Sequence, residues 1–302
     1  MKTAEAVRLF MTNCELKGLS ASTIKQYRQQ LSYLAEAFPK LPTTPEAIET
    51  LLARIDATPE TKHSYFRTYR AAYNFLDKRH KTGNPMLNVT APRLKPKIMP
   101  TLEMSDIGLL PIFIKNDVTK YTAAVVQARD LALISLLLDN GIRSGEATGL
   151  KREDIKEHYI KVKGKVGERI VPISDSVVKL LLDLPDYDDG YVFHGHRGKL
   201  TRSGVYRIVK KYLTKIGITG DKLGGHRLRH TFGRQYLVLG GDLRSLQIIM
   251  GHSNIQTTEK YASLSNEDVM QKHNKYTPWD NSLSEVNRSE KVTMSRLAQY
   301  RR

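Results

Sequence analysis

Apolar positions recur every three or four residues along most of this chain, the pattern of amphipathic helices. Ala6, Val7, Phe10 and Cys14 mark one face of a first helix; Ile24, Tyr27, Leu31 and Leu34 mark a second. Ser20 and Ser22, just ahead of that second set, are residue types that cap helix amino termini. Pro39, Pro42 and Pro45 punctuate the next loop, and Thr44-Pro45 predicts the start of a third helix carrying Ile48, Leu51, Leu52 and Ile55. A fourth helix is predicted over residues 60–78, with Tyr65, Tyr69, Tyr73 and Leu76 near one face, and Asn84-Pro85 ends the segment.

The pattern changes after residue 92. Pro92-Arg93-Leu94-Lys95-Pro96-Lys97 is basic, proline-bounded and free of helical period, so residues 93–99 read as a linker. Helices are expected again over 102–116 and 121–140, the second strongly apolar up to Leu138 and turning at Asn140-Gly141. Arg143 follows the turn, and Glu146 and Leu150 are expected on one face of a further helix ending at Lys151. The period then becomes two. Residues 159–163 and 169–173 alternate around Gly164-Lys165-Val166-Gly167, which predicts a β-hairpin with a basic turn. Tyr191-Val192-Phe193 is expected to be a short strand, and helices are expected over 176–184 and 203–216. Residues 237–250 keep helical spacing around the break at Gly240-Gly241.

These elements predict a mainly α protein with a small β-sheet. Its parts are a helical domain over 1–92, the linker, a second α+β domain over 100–274 and a tail over 275–302. A length of 302 residues, 40% of them hydrophobic, suits two modest cores. The net charge of +17 points to a polyanionic partner, most simply nucleic acid. Up to Lys97 there are sixteen Lys and Arg against eight Asp and Glu, a net +8. Arg67, Arg70, Lys78, Arg79 and Lys81 cluster around the fourth helix: a face for phosphates, or a solvated exterior. A basic linker bearing Lys95 and Lys97 suits a clamp that closes around DNA.

Cys14 is the only cysteine, which rules out an internal disulfide and any cysteine-based zinc cluster. The amino terminus lacks the apolar core of a signal peptide, and residues 132–142 are cut short by Asp139, Asn140 and Gly141. A cytoplasmic, nucleoid-associated protein with no membrane partner is therefore expected.

Six residues have the chemistry to act on a phosphodiester: Arg143, Lys165, His226, Arg229, His252 and Tyr261. Two guanidiniums bind nonbridging oxygens and keep their charge, which needs no metal or other cofactor. A tyrosine hydroxyl attacks phosphorus when a neighbour takes its proton, and a lysine protonates the leaving oxygen. Each has an ordinary structural alternative. Arg143 can cap a helix or pair with Glu146, and Lys163 rivals Lys165. The histidines can be structural, and Tyr261 is one of 15 tyrosines.

Together, their order and spacing shift the balance toward the chemical reading. Gly141-Ile142-Arg143-Ser144-Gly145-Glu146, continuing to Leu150, resembles the first box of the tyrosine recombinase (phage integrase) family. Gly164-Lys165, then Arg169 and Pro172, resembles its hairpin and favours Lys165 over Lys163. His226-Arg227-Leu228-Arg229-His230 resembles its second box. Met250-Gly251-His252-Ser253, Thr257-Thr258 and Tyr261 resemble its last, with Met250 in place of the usual leucine. The helical amino-terminal domain and overall length are similar to two-domain recombinases of the Xer type.

The resemblance implies a SAM-like helical DNA-binding domain joined to a catalytic domain of the integrase fold. It implies a site-specific recombinase acting on double-stranded DNA as a homotetramer on two sites, through a Holliday junction. Tyr261 is then the nucleophile, giving a 3′-phosphotyrosyl link. Arg143 and Arg229 hold the phosphate, Lys165 is the acid for the 5′-oxygen, His226 assists the tyrosine and His252 bonds the phosphate. Glu146 supports Arg143. A type IB topoisomerase shares this chemistry, and a DNA-binding protein without catalysis is the remaining alternative. Residues 265–273 are expected to be helical, docking on a neighbouring protomer or packing in cis. The tail with Trp279 reads either as a partner helix over 284–300 or as disordered.

Overall fold

The computed structural model describes residues 1–94, 100–117, 124–164, 167–251 and Thr258. The chain divides into two compact units, Met1–Lys97 and Ile98–Arg302. Lys95, Lys97, Lys165, His252, Tyr261 and the predicted tail helices lie outside the described residues.

The first unit is built from α1 (Thr3–Leu16), α2 (Ala21–Ala37), α3 (Pro45–Arg54) and α4 (Pro59–His80), then a 3-10 turn at Pro85–Leu87. Ser20 and Thr58 cap α2 and α4, each accepting from the backbone N–H three residues on. Phe10, Cys14, Leu31, Leu34, Ile48, Leu51, Tyr69 and Tyr73 meet in one core. Tyr73 is wholly buried and keeps its hydroxyl satisfied by donating to Pro42 O at 2.8 Å.

The second unit is organised around α6 (Ala124–Asn140), which packs against α5 (Met104–Lys115), α8 (Asp175–Leu182) and α10 (Gly225–Val238). Ala132, Leu133, Ile134, Leu136 and Leu137 are all buried, so α6 is apolar around most of its circumference, as a central helix must be. Each large aliphatic side chain buried there contributes about 1.5–3 kcal/mol. The helix stops at Gly141, whose φ of +61° is in the left-handed region. A Cβ there would fall 2.5 Å from Phe232 Cδ1, so glycine is required for space as well as conformation.

Only one helical turn follows, α7 (Ser144–Ala147). The helix expected to run to Lys151 is thus shorter: Gly149 and Leu150 turn back through 3-10-type bonds to Glu146 O and Ala147 O. The hairpin pairs β1 (Tyr159–Gly164) with β2 (Gly167–Pro172), Gly164 opposite Gly167 and Val162 opposite Arg169. Ile160, Val162 and Val171 enter the core. Arg169 occupies the same inward register, and Ile170 is exposed.

The strand expected at 191–193 falls slightly later, at β3 (His194–Gly195) and β4 (Gly198–Lys199). Tyr191 makes only an isolated bridge to Lys151, Val192 donates to Leu150 O, and Leu200 donates to Phe193 O. The extended stretch is real, but its hydrogen bonds go to loops. The remaining helices are α9 (Arg202–Lys215) and, after the break at Gly240-Gly241, α11 (Leu243–Met250).

Candidate active site

Arg143 is the residue at which the chain leaves the Asn140-Gly141 turn and enters α7. Its backbone N–H donates to Glu146 Oε2 at 2.8 Å and its guanidinium to Glu146 Oε1 at 3.0 Å. A second guanidinium N–H donates to Gly251 O at 3.2 Å. The Arg143 side chain is 42% exposed, so part of its donor edge faces solvent, whereas that of Glu146 is 3% exposed.

Glu146 is also gripped by Arg169, whose two terminal nitrogens lie 2.6 and 2.9 Å from the two carboxylate oxygens. Burial works to raise the Glu146 pKa. The Arg169 bonds, the Arg143 backbone N–H and the Arg143 guanidinium outweigh it and hold the carboxyl below its ordinary range. Glu146 is therefore an anion committed to two arginines.

Arg229 is buried on α10 and donates to the carbonyl of Gly141 and, at 2.7 Å, to that of Met250. The first bond ties it to the turn that delivers Arg143; the second ties it to the last turn of α11. Met250 fills the interior under that turn. His226 lies one turn before Arg229, in the first turn of α10, and is exposed. Desolvation, then the charges of Arg229 and Arg143, lower its pKa and favour neutral imidazole.

A cavity of about 540 Å³ opens beside these groups, lined by Arg143, Gly145, Glu146, Lys163, Arg202 and His226 among others. Arg143, Glu146, His226 and Arg229 are thus brought together from α7 and α10. Lys163 is mostly exposed and pairs with Glu168 across the hairpin at 3.0 Å. In the chain, Lys165 follows β1, His252 follows α11 and Tyr261 comes nine residues later; all three are outside the described residues.

Two cations escaped the sequence reading. Arg169 belongs to the hairpin motif, but only the strand register reveals that it points inward. Arg202 begins α9 and is exposed at the cavity rim; a Cβ on Gly145 would come 2.6 Å from its guanidinium. No sequence spacing signals that approach, because Gly145 and Arg202 lie far apart in the chain.

In the first unit, Arg67, Arg70, Lys78 and Arg79 are all exposed on α4. Arg67, Arg70 and Lys78 share one face by helical spacing, and Arg79 is turned about 100° from Lys78. Arg70 lies over the Phe66 ring at 5.3 Å. Among the described residues no helix is long and apolar enough to cross a membrane.

Two arginines and an imidazole thus stand together beside an open cavity lined by the cations Arg143, Lys163 and Arg202. Comparison with known proteins gives the class. The model of the phage integrase family matches residues 114–268, a span that includes all six candidate catalytic residues. Tyrosine recombinase XerD of Listeria monocytogenes is 30% identical over 274 residues, covering 82% of this chain and 90% of the relative. Tyrosine recombinase XerC of Thermodesulfovibrio yellowstonii is 29% identical over 295 residues, covering 89% and 95%. The fold matches that of XerH site-specific recombinase bound to palindromic difH substrate in a post-cleavage complex. Its TM-score is 0.70 at 21% identity, over 87% of this chain and 82% of that one. The chain belongs to the phage integrase family of tyrosine recombinases.

Proposed function

We propose that this recombinase cuts and rejoins double-stranded DNA at a specific site through a covalent 3′-phosphotyrosyl intermediate. The Tyr261 hydroxyl attacks the scissile phosphorus, forming the P–Oη bond as the bond to the 5′-oxygen breaks. The phenolic proton passes to neutral His226, and Lys165 protonates the leaving 5′-oxygen. Arg143, Arg229 and His252 meet the nonbridging oxygens, where charge builds in the transition state. A 5′-hydroxyl from another strand then attacks the phosphotyrosine and releases Tyr261. One phosphodiester is exchanged for another, so the step balances without ATP, metal or another cofactor.

Four protomers on two DNA sites carry the exchange through a Holliday junction, in integration, excision or resolution. Arg67, Arg70, Lys78 and Arg79 on α4, with Lys95 and Lys97 in the linker, meet the DNA backbone. The protein works in the cytoplasm, at the nucleoid. The observation that carries this reading is the joining of Arg143 and Arg229 at the end of α11, with His226 beside them.

The test is a nicked suicide duplex bearing a site selected by the protein from its own genome. A covalent protein–DNA adduct is expected, and Tyr261→Phe abolishes it. No adduct on any selected duplex sinks the catalytic reading. Exchange of strands between two sites, with four protomers in the synaptic particle by light scattering, is expected. Relaxation of supercoils without exchange refutes recombination.

A further inference from the structure

Three arginines from three separate segments end on three consecutive carbonyls. Arg169 Nε donates to Ile249 O at 3.4 Å, Arg229 to Met250 O at 2.7 Å and Arg143 to Gly251 O at 3.2 Å. These carbonyls close α11, where the helix has unsatisfied acceptors and the negative end of its dipole. Two of the three arginines are assigned to the phosphate. Arg169 is not, yet it makes a bidentate, charge-assisted pair with the buried carboxylate of Glu146.

The surroundings of Arg169 accommodate that pair in detail. It takes a core-facing register on β2, opposite buried Val162, where an apolar residue is the ordinary choice. Gly251 has φ +63°, and a Cβ on it would fall 2.6 Å from Arg169 Nε. Gly164 is similarly close: a Cβ there would fall 2.9 Å from Glu146 Oε1. Two glycines thus leave room for the ion pair, one beside the hairpin tip and one just before His252.

We propose that Arg169 is a positioning residue for strand cleavage. Through Glu146 it sets the angle of the Arg143 guanidinium, and through Ile249 O it pins the hairpin to the end of α11. This inference rests on the recombinase reading above. Arg169 itself touches no substrate; it acts through Arg143.

The test compares wild type, Arg169→Met and Arg169→Lys on the same nicked suicide duplex with either a phosphodiester or a methylphosphonate at the scissile position. Arg169→Met is expected to bind DNA within about threefold of wild type. It should cleave the phosphodiester about 10²-fold more slowly, the effect of a roughly 1 Å misplacement of a catalytic group. The methylphosphonate lacks the charge that Arg143 must meet, so on it the deficit shrinks to a few-fold. Arg169→Lys recovers part of the rate.

Wild-type cleavage by Arg169→Met, or an equal deficit on both substrates, overturns the proposal. If Arg169→Met does not fold, Glu146→Asp carries the same comparison: it keeps the charge and shortens the link. Absence of adduct from wild type strikes at the recombinase reading instead, so the two failures are distinct.

Discussion

Glu146 is a buried charge held by two arginines, and replacing it with glutamine tests how much its ion pairs contribute. The carboxylate accepts two bonds from Arg169, one from the Arg143 guanidinium and one from the Arg143 backbone. Glutamine keeps the volume and one acceptor oxygen, but it turns an –NH2 toward the donors of Arg169. Removing one partner of a buried ion pair costs about 3–5 kcal/mol. The retained shape and the partial exposure of both arginines put Glu146→Gln at the low end, about 3 kcal/mol. For a unit of this size each kcal/mol lowers Tm by about 2–4 °C, so a drop of about 6–12 °C is expected at pH 7. Differential scanning calorimetry of the full chain reads it directly.

The pH dependence adds a second constraint. The folded carboxyl titrates below its ordinary value because the arginine bonds outweigh desolvation. Its stabilisation is therefore fully present above the ordinary glutamate range and is lost as pH falls through the depressed folded value. The gap between wild type and Glu146→Gln should be constant near neutrality and close only in acid. A Tm within about 2 °C of wild type at pH 7, or a gap that closes already near neutrality, refutes the reasoning.

Three further outcomes follow. The His226 imidazole should titrate below about 6.5 by NMR, and Arg143→Met should raise that midpoint, since one repelling charge is gone; a midpoint unmoved by Arg143→Met contradicts the assignment. Because its folded pKa is depressed, the stability tied to neutral His226 is fully present above the ordinary histidine value and is lost as pH falls from there through the lowered folded value. Gly141→Ala combines a left-handed φ with a Cβ 2.5 Å from Phe232, so urea unfolding should show a loss of about 2–4 kcal/mol; a loss under about 1 kcal/mol shows that the turn relaxes freely. Converting Arg67, Arg70 and Lys78 to glutamine should flatten the slope of log K against log salt by about 2.7, roughly 0.9 per lost phosphate contact; an unchanged slope takes that face off the DNA.

The helices of both units and the hairpin were legible because their signals are local. Apolar spacing, Ser20 and the prolines act within a few residues, and Gly164 and Gly167 bracket the hairpin turn. The shortfalls came where non-local bonds decide. The helix after Arg143 stops after one turn, since Gly149 and Leu150 close 3-10 bonds and Leu150 O accepts from Val192. Tyr191-Val192-Phe193 has strand-like composition, yet its backbone pairs with loops at Leu150, Lys151 and Leu200.

The candidate site divides in the same way. Residue type makes Arg143, Glu146, His226 and Arg229 candidates, and the resemblance to the family boxes singles them out. Spacing does not say what holds them. Arg169 reads in sequence as a member of the hairpin motif with no role attached; its inward aim depends on register across the hairpin. The meeting of Arg143, Arg169 and Arg229 on Ile249, Met250 and Gly251 needs α7, β2, α10 and α11 packed together. Arg202 approaches Gly145 only because α7 and α9 are neighbours. Local periodicity and motif order thus determine which elements form and which groups are available. The tertiary structure alone decides how they are aimed, since hydrogen bonds between distant segments depend on packing that no short window of sequence contains.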